Sequence, residues 1–340
     1  MKKLQLLAGI AVSALALFIV LRDVEWSEVL DRIQEANDWL LALAVLMMLG
    51  TLLIRGLRWQ AILRVETPLR LRHLYGSISV AFFLNNLLPL QVGDIGRAYL
   101  LSELAGLSMT RTLSTQVVER VLDVLTLLGM LLVLALFIDV PSQVRTPSII
   151  LAVVFGSLAA GLLVAASRRH RAIAIADRLV RFAPARSRPK LQSMAASAVD
   201  GLAGLSDRRT TLVLLSYAVA LWLSIGLVVY VCIQAFDLPL GYGPALFLVV
   251  ATTFGFFVPS TPGSFGVYHA IVIAVLTNVF DIEKSSAVSF ALIVHLVFYL
   301  PPMVIGPVFL WLERDLWRRS SFWDKLRQLR GASIVGGNVG

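Results

Sequence analysis

Apolar residues run along this chain in blocks separated by short polar segments, and two of the blocks are broken at their centres by proline and glycine. Six blocks are unbroken, at 4–21, 39–54, 112–137, 147–166, 211–234 and 287–312. Each approaches the roughly 20 apolar residues that carry a helix across a hydrocarbon core about 30 Å thick. The broken blocks, 73–110 and 244–280, centre on NNLLPLQVGDIGR at 85–97 and PSTPGSFGVYH at 259–269. Their arms of about 12 to 16 residues reach only about 18 to 24 Å, short of that core. Backbone freed by such breaks is tolerated at membrane depth only inside protein or beside a polar cavity. The pattern predicts an all-α polytopic membrane protein with six full spans and two re-entrant hairpins.

Lysine and arginine are retained on the cytoplasmic side, and their distribution sorts the connections. Residues 55–72 hold Arg55, Arg58, Arg64, Arg70 and Arg72, and both 167–210 and the tail from 313 are rich in the same residue types. By contrast 22–38 sets Arg22 and Arg32 against six carboxylates, 138–146 holds Arg145 alone, 281–286 holds Lys284 alone, and 235–243 has none. These four segments are assigned to the outer face and both termini to the cytoplasm. Hairpin 73–110 then enters from the cytoplasm and hairpin 244–280 from outside, so the two oppose each other. The halves 1–137 and 147–312 each read span, span, hairpin, span, the first starting inside and the second outside. Such an inverted repeat places a site near the midplane, about which the halves rock. The chain is read as one membrane domain, with 167–210 a cytoplasmic amphipathic segment and 313–340 a cytoplasmic tail.

Composition agrees: 58% of residues are hydrophobic and 15% charged, with a mean hydropathy of +0.82, which excludes a soluble globular protein. The connections leave no stretch for a soluble catalytic domain of ordinary size. Retention of positive loops accounts for the net charge of +9, so nucleic acid is rejected as a partner. Within 167–210, RRHRAIAIADRLVRFAPARSRPK alternates basic and apolar residues as a helix on an anionic lipid surface does. WSEVLDRIQEAN predicts a short amphipathic helix at the outer surface. Lys2 and Lys3 ahead of 4–21, with Ala14-Leu15-Ala16 inside it, give a signal-peptide look. The apolar run continues past that triplet, so the segment is read as a retained span. Cys232 has no cysteine partner, so disulfides are not expected within the monomer.

Ionisable residues inside apolar blocks are costly and mark function. After Pro89 and Gly93 come Asp94 and Arg97, with Asp94 placed to N-cap a short helix, DIGRAYLLSEL. Asn85 and Asn86 are candidates to line the same cavity. In the third span Glu119 and Asp123 share a helix face, and Arg120 lies one turn from Asp123. A structural reading makes these charges neutralise one another, so that removing one costs about 3–5 kcal/mol. A functional reading gives an anionic headgroup to Arg97 and Arg120, whose planar forks suit phosphate, and a proton to Glu119 or Asp123. The two readings are compatible. The second hairpin is polar without formal charge, through Pro259, Ser260, Thr261, Pro262, Gly263, Ser264, Gly266, Tyr268 and His269. Its helix is expected to start near Ser264 and to aim its amides inward as an anion seat. His269, His295 and Tyr299 are read first as packing residues, and the four histidines as dispersed.

The chain resembles the flippase-like membrane proteins related to the transmembrane region of lysylphosphatidylglycerol synthases. The likeness covers the chain to about residue 312 through LIRGLRWQAIL at 53–63, NNLLPLQVGDIGRAYLL at 85–101, VVERVLDVLTL at 117–127 and PSTPGSFGVYHA at 259–270. Ser264 and His269 stand where the family pattern has a second glycine and an acid. The resemblance implies handling of phospholipids or other lipids in a bacterial plasma membrane, with the synthases' aminoacyl-transfer domain absent. The expectation is a transporter of a lipid with a polar, phosphate-bearing headgroup, without catalytic residues, metal or cofactor. The alternatives are an intramembrane enzyme acting on a lipid phosphate, with Glu119, Asp123 or His269 as acid or base, and a scaffold for a lipid or glycan biosynthetic enzyme. No metal-ligand cluster or nucleotide-phosphate loop supports the enzyme.

Overall fold

The computed structural model describes residues 2–22, 24–63, 69–88, 92–107, 109–138, 169–181, 208–255 and 261–314, with isolated positions between 153 and 192. The expected span 147–166 and most of 182–207 lie outside that set. Among the described residues the secondary structure is helical throughout: α1 Lys2–Leu21, α2 Trp26–Glu35, α3 Asp38–Leu63, α4 Leu71–Leu87, α5 Val92–Ala105, α6 Met109–Leu134, α7 Arg169–Val180, α8 Arg208–Ala235, α9 Tyr242–Gly255, α10 Val267–Val279 and α11 Lys284–Leu312. A 3₁₀ turn, Pro262–Ser264, precedes α10.

Among the described residues, four helical stretches are long and apolar enough to cross a membrane: Asp38–Leu63, Arg209–Ala235, Pro262–Val279 and Lys284–Leu312. α6 has the length, 26 residues, but carries Glu119, Arg120 and Asp123. The outer faces are apolar, with Phe137 80% and Leu136 79% exposed, while Arg58 is completely buried. Exposed apolar surface on this scale around a charged interior is the reverse of a soluble protein. The chain is a multi-pass membrane protein.

Both broken blocks form pairs of packed helices, α4 with α5 and α9 with α10. These have 17, 14, 14 and 13 residues, or about 26, 21, 21 and 20 Å at 1.5 Å per residue. α3 departs from the sequence reading, which ended the span at residue 54 and gave Arg55 and Arg58 to a loop. It continues to Leu63, because Arg58 and Trp59 point inward and find partners on α6.

The helix ends meet in two groups. The Asn37 amide before α3 donates to the Ala235 carbonyl at the end of α8 (2.8 Å), so these two helices run antiparallel. In the same group, Lys284 at the start of α11 donates to the Arg22 carbonyl after α1, and Ser289 of α11 donates to the Val29 carbonyl of α2 (3.0 Å). At the other end, His73 of α4 meets Glu313 after α11 (3.4 Å). The packing partners also pair off between the halves. α3 packs on α8, α4 on α11 and α6 on α9, while α3–α4 and α5–α6 match α8–α9 and α10–α11.

The α4–α11 crossing is close because each helix presents glycine to the other. A Cβ at Gly76 would enter the Phe309 ring, and one at Gly306 would lie 2.6 Å from the Phe83 Cβ. Small residues at such crossings let backbones approach where lipid supplies no hydrophobic drive.

Candidate functional site

The first hairpin's break, Leu88 to Gln91 with Pro89 inside it, lies mostly outside the described residues, and its rim is well defined. Sequence reasoning made Asp94 the N-cap of the following helix. Instead α5 starts at Val92, so Asp94 sits inside its first turn. The cap comes from the opposite arm: the Asn85 Oδ1 accepts the Gly93 amide at 2.7 Å. Glycine is required at 93 because a Cβ there would strike the Ala81 carbonyl of α4. Asn86 is half-buried and makes no polar contact with this network among the described residues.

Below the rim lies a buried ionic network joining α3, α5 and α6. Arg58 spreads its fork over Asp123, Nη1 to Oδ1 at 2.6 Å and Nη2 to Oδ2 at 3.3 Å, and Nη2 also reaches Glu119 Oε1 at 3.4 Å. Arg97 binds the other oxygen of Glu119. Trp222 of α8 donates its indole N–H to Asp123 Oδ1 at 2.9 Å. Arg97 lies 4.2 Å from the centroid of the Trp59 ring, a cation–π contact strengthened by burial. Trp59 is held by its N–H to Thr115 Oγ1 (3.0 Å). The Nε atoms of Arg58 and Arg97 are buried without a hydrogen-bond partner among the described residues.

The expected pairing of Arg120 with Asp123 does not form. Arg120 points away from its own helix neighbour and binds Asp94 Oδ2 at 2.8 Å, with 61% of its side chain exposed. Helix geometry is the reason: Arg58 occupies the face shared by Glu119 and Asp123, and residue 120 is turned about 100° from 119. Gln116 of α6 donates to the Asp94 carbonyl at 2.8 Å, fixing the same junction. Arg55, one turn before Arg58, lies 5.4 Å over Phe82 and has no carboxylate partner among the described residues. Among the described residues, four arginines therefore face three carboxylates here.

The second hairpin builds a separate cluster. Pro259 and Ser260 lie outside the described residues. The helix expected from Ser264 starts at Val267, after a turn in which Gly263, Ser264 and Gly266 have φ of 70°, 56° and 96°. The Gly266 amide is used locally, donating to His269 Nδ1 at 3.5 Å, rather than left to seat an anion. His269 is not isolated either, since its Nε2 lies 3.3 Å from His295 Nδ1 on α11. Phe265, Tyr268 and Tyr299 surround the two rings, with Phe265 stacked on His295 at 4.6 Å. The Thr261 amide donates to Ser13 Oγ of α1 at 3.0 Å, and the 3₁₀ turn with Pro262, Gly263 and Ser264 packs on α4.

The structure thus brings together Asn85, Gly93, Asp94, Arg97, Glu119, Arg120 and Asp123, and separately gathers Gly263, Gly266 and His269. The sequence reading missed Arg58, Trp59, Trp222 and the His269–His295 contact. One signal was available for Arg58: two acids one turn apart on a buried face demand a cation, and RGLRWQAIL offers one in apolar surroundings.

The two loops share a spacing, Pro89/Gly93/Gly96 and Pro259/Gly263/Gly266, with Asp94 and Arg97 answered by Ser264 and Val267. Residues 6–306 match the model of the family described as lysylphosphatidylglycerol synthase TM region. A UPF0104 membrane protein of Methanothermobacter thermautotrophicus is 23% identical over 87% of this chain and 91% of its own length. One of Methanocaldococcus jannaschii is 23% identical over 69% of this chain and 96% of its own length. Glycosyltransferase AglD of Haloferax volcanii is 29% identical over 38% of this chain, which spans only 21% of that protein. No solved structure matches the chain.

Proposed function

We propose, from the premise that the chain belongs to the lysylphosphatidylglycerol synthase TM region family, that it moves a lipid with a polar, phosphate-bearing anionic headgroup across the plasma membrane. The observation that carries this reading is the arginine-rich network at the break of the first hairpin. Buried charge is expensive unless paired, and a pairing serving packing alone needs no guanidinium in excess. Here Arg55 is in excess, and Arg120 is tied to Asp94 at an exposed edge. A phosphate competes with Asp94 for Arg120 and with Glu119 for Arg97, and arginine's fork matches phosphate as it matches carboxylate. Released from Arg97, Glu119 is the group placed to take a proton. The network closes on itself when empty and opens to an anion.

In this reading six spans and two opposed re-entrant hairpins form an inverted repeat with cytoplasmic termini, and the pairing of contacts between the halves supports it. The basic segment 167–210 rests on the anionic inner leaflet. Transport requires no bond to the lipid to change, so the chain acts as a transporter rather than an enzyme.

The test is a liposome assay with purified protein that follows chemical reduction of a fluorescent anionic phospholipid. Accelerated scrambling, lost in Arg97→Ala and strongly reduced in Arg120→Ala, is the expected result. No acceleration with any of several headgroups would sink the proposal. The likeness to a fifth of a protein named glycosyltransferase favours, as a second reading, a membrane partner of a lipid or glycan biosynthetic enzyme. Lost product without lost scrambling would favour it.

A further inference from the structure

The second hairpin's polar cluster is separate from the arginine network, and its hydrogen bonds fix where its protons lie. The Gly266 amide can only donate, so His269 Nδ1 accepts and carries no proton. Neutral His269 therefore has its proton on Nε2, which faces His295 Nδ1 at 3.3 Å. The remaining proton of His295 is then on its Nε2. The chain of bonds leaves the loop at Gly266 and crosses His269 to His295, beside the Gly263 backbone.

This chain of bonds helps to clamp an unfavourable backbone, beside the Ser264 amide to the Thr261 carbonyl (2.9 Å) and the Thr261 hydroxyl to the Phe265 carbonyl (2.8 Å). Gly263, Ser264 and Gly266 all have positive φ, Ser264 without the freedom of glycine, and such residues persist only where their surroundings hold them. One added proton breaks the clamp. At His269 Nδ1 it would face the Gly266 N–H, and at His295 Nδ1 it would face the His269 N–H, setting two donors against each other in either case. Tyr268 and Tyr299 face the pair from α10 and α11. On α2, which packs on α11, Glu28 is bonded to Ser285 and Arg32 is ion-paired with Glu35 and Glu283. α9 and residues 11–21 of α1 contain no charged side chain. The charged residues of α4, Arg72 and His73, sit at its far end beside Glu313.

We infer that His269 and His295 form one proton-binding site whose occupation unlocks the second hairpin's loop, making the proton a co-substrate of lipid movement. The inference rests on the transport reading for its last clause. The mechanical link is α4: the clamped turn packs on it, and its last turn carries Asn85, the cap of the arginine-bearing helix.

The test uses the full chain in nanodiscs and in proteoliposomes. Hydrogen exchange of the 261–266 segment, corrected for intrinsic rates, is followed from pH 8 to pH 5. An opening that takes up one proton becomes about tenfold more frequent per pH unit through the titration, so protection in the natural protein is expected to fall at least tenfold. The double variant His269→Gln/His295→Gln, whose amides both donate and accept but do not titrate, is expected to stay protected. Flat protection in the natural protein, or an equally steep loss in the variant, overturns the inference whether or not lipid moves. In proteoliposomes, a one-unit pH gradient is expected to bias lipid between leaflets by up to about tenfold for one proton per lipid, and to have no effect with the variant. Scrambling that ignores the gradient overturns the coupling but leaves transport standing. Absent scrambling with a pH-dependent clamp overturns the transport reading alone.

Discussion

Arg58 is the residue on which the interior depends, because among the described residues it alone makes hydrogen bonds to both acids of α6. Arg58→Ala leaves Glu119 and Asp123 buried with one guanidinium between them. A cost of about 3–5 kcal/mol follows for breaking a buried pair, to be read as a large drop in the thermal midpoint of detergent-solubilised protein. Trp222→Phe keeps an aromatic ring but removes the donor to Asp123 and part of the indole's buried volume, so a smaller loss of about 1–2 kcal/mol is expected in the same assay. A Trp222 effect as large as that of Arg58 would mean that Asp123, rather than the arginine, organises the network. At this scale the acids were legible from their i, i+4 spacing, because two carboxylates on one helix face require a shared environment. Arg58 was hidden by a competing rule: an arginine at the end of an apolar run is ordinarily a cytoplasmic anchor. Arg120 was misassigned because spacing along a helix says nothing of a partner on another element.

At the scale of elements, the first hairpin is held shut by a close approach and a cap, and the two separate experimentally. Asn85→Ala removes the side-chain acceptor of the Gly93 amide and should cost about 0.5–2 kcal/mol, the range for a lost cap. Gly93→Ala places a methyl group against the Ala81 carbonyl, so its arms must part. Scrambling should fall further in Gly93→Ala than in Asn85→Ala, and equal losses would refute the close-packing account. Among the described residues the spans 4–21, 112–137, 211–234 and 287–312 were read within a few residues from hydropathy, which follows contact with lipid, whereas α3 runs nine residues past its expected end. Exact helix ends escaped because capping is decided across space: Asn85 starts α5, and Gly266, with its positive φ, delays α10 to Val267.

For the whole molecule, the two groups of meeting helix ends give a test of sidedness. Cysteine placed at Glu283 should react with a membrane-impermeant thiol reagent only from outside, and cysteine at Glu313 only from the cytoplasm. Cys232 is buried and contributes little background. Reaction of both from one side would dismantle the inverted repeat. The overall class was legible because 58% apolar composition permits little else, whereas the crossing of α4 with α11 joins segments too far apart for any local pattern to reveal. Arg58 also has a consequence for how the protein is made. It leaves the ribosome on α3, well before α6 brings Glu119 and Asp123, and each such charge alone costs about 2.5–3.5 kcal/mol at the centre of an inserting helix. α3 and α6 are therefore expected to enter the bilayer as partners rather than in turn, the acids that α6 brings sparing the arginine an unpaired place in the lipid.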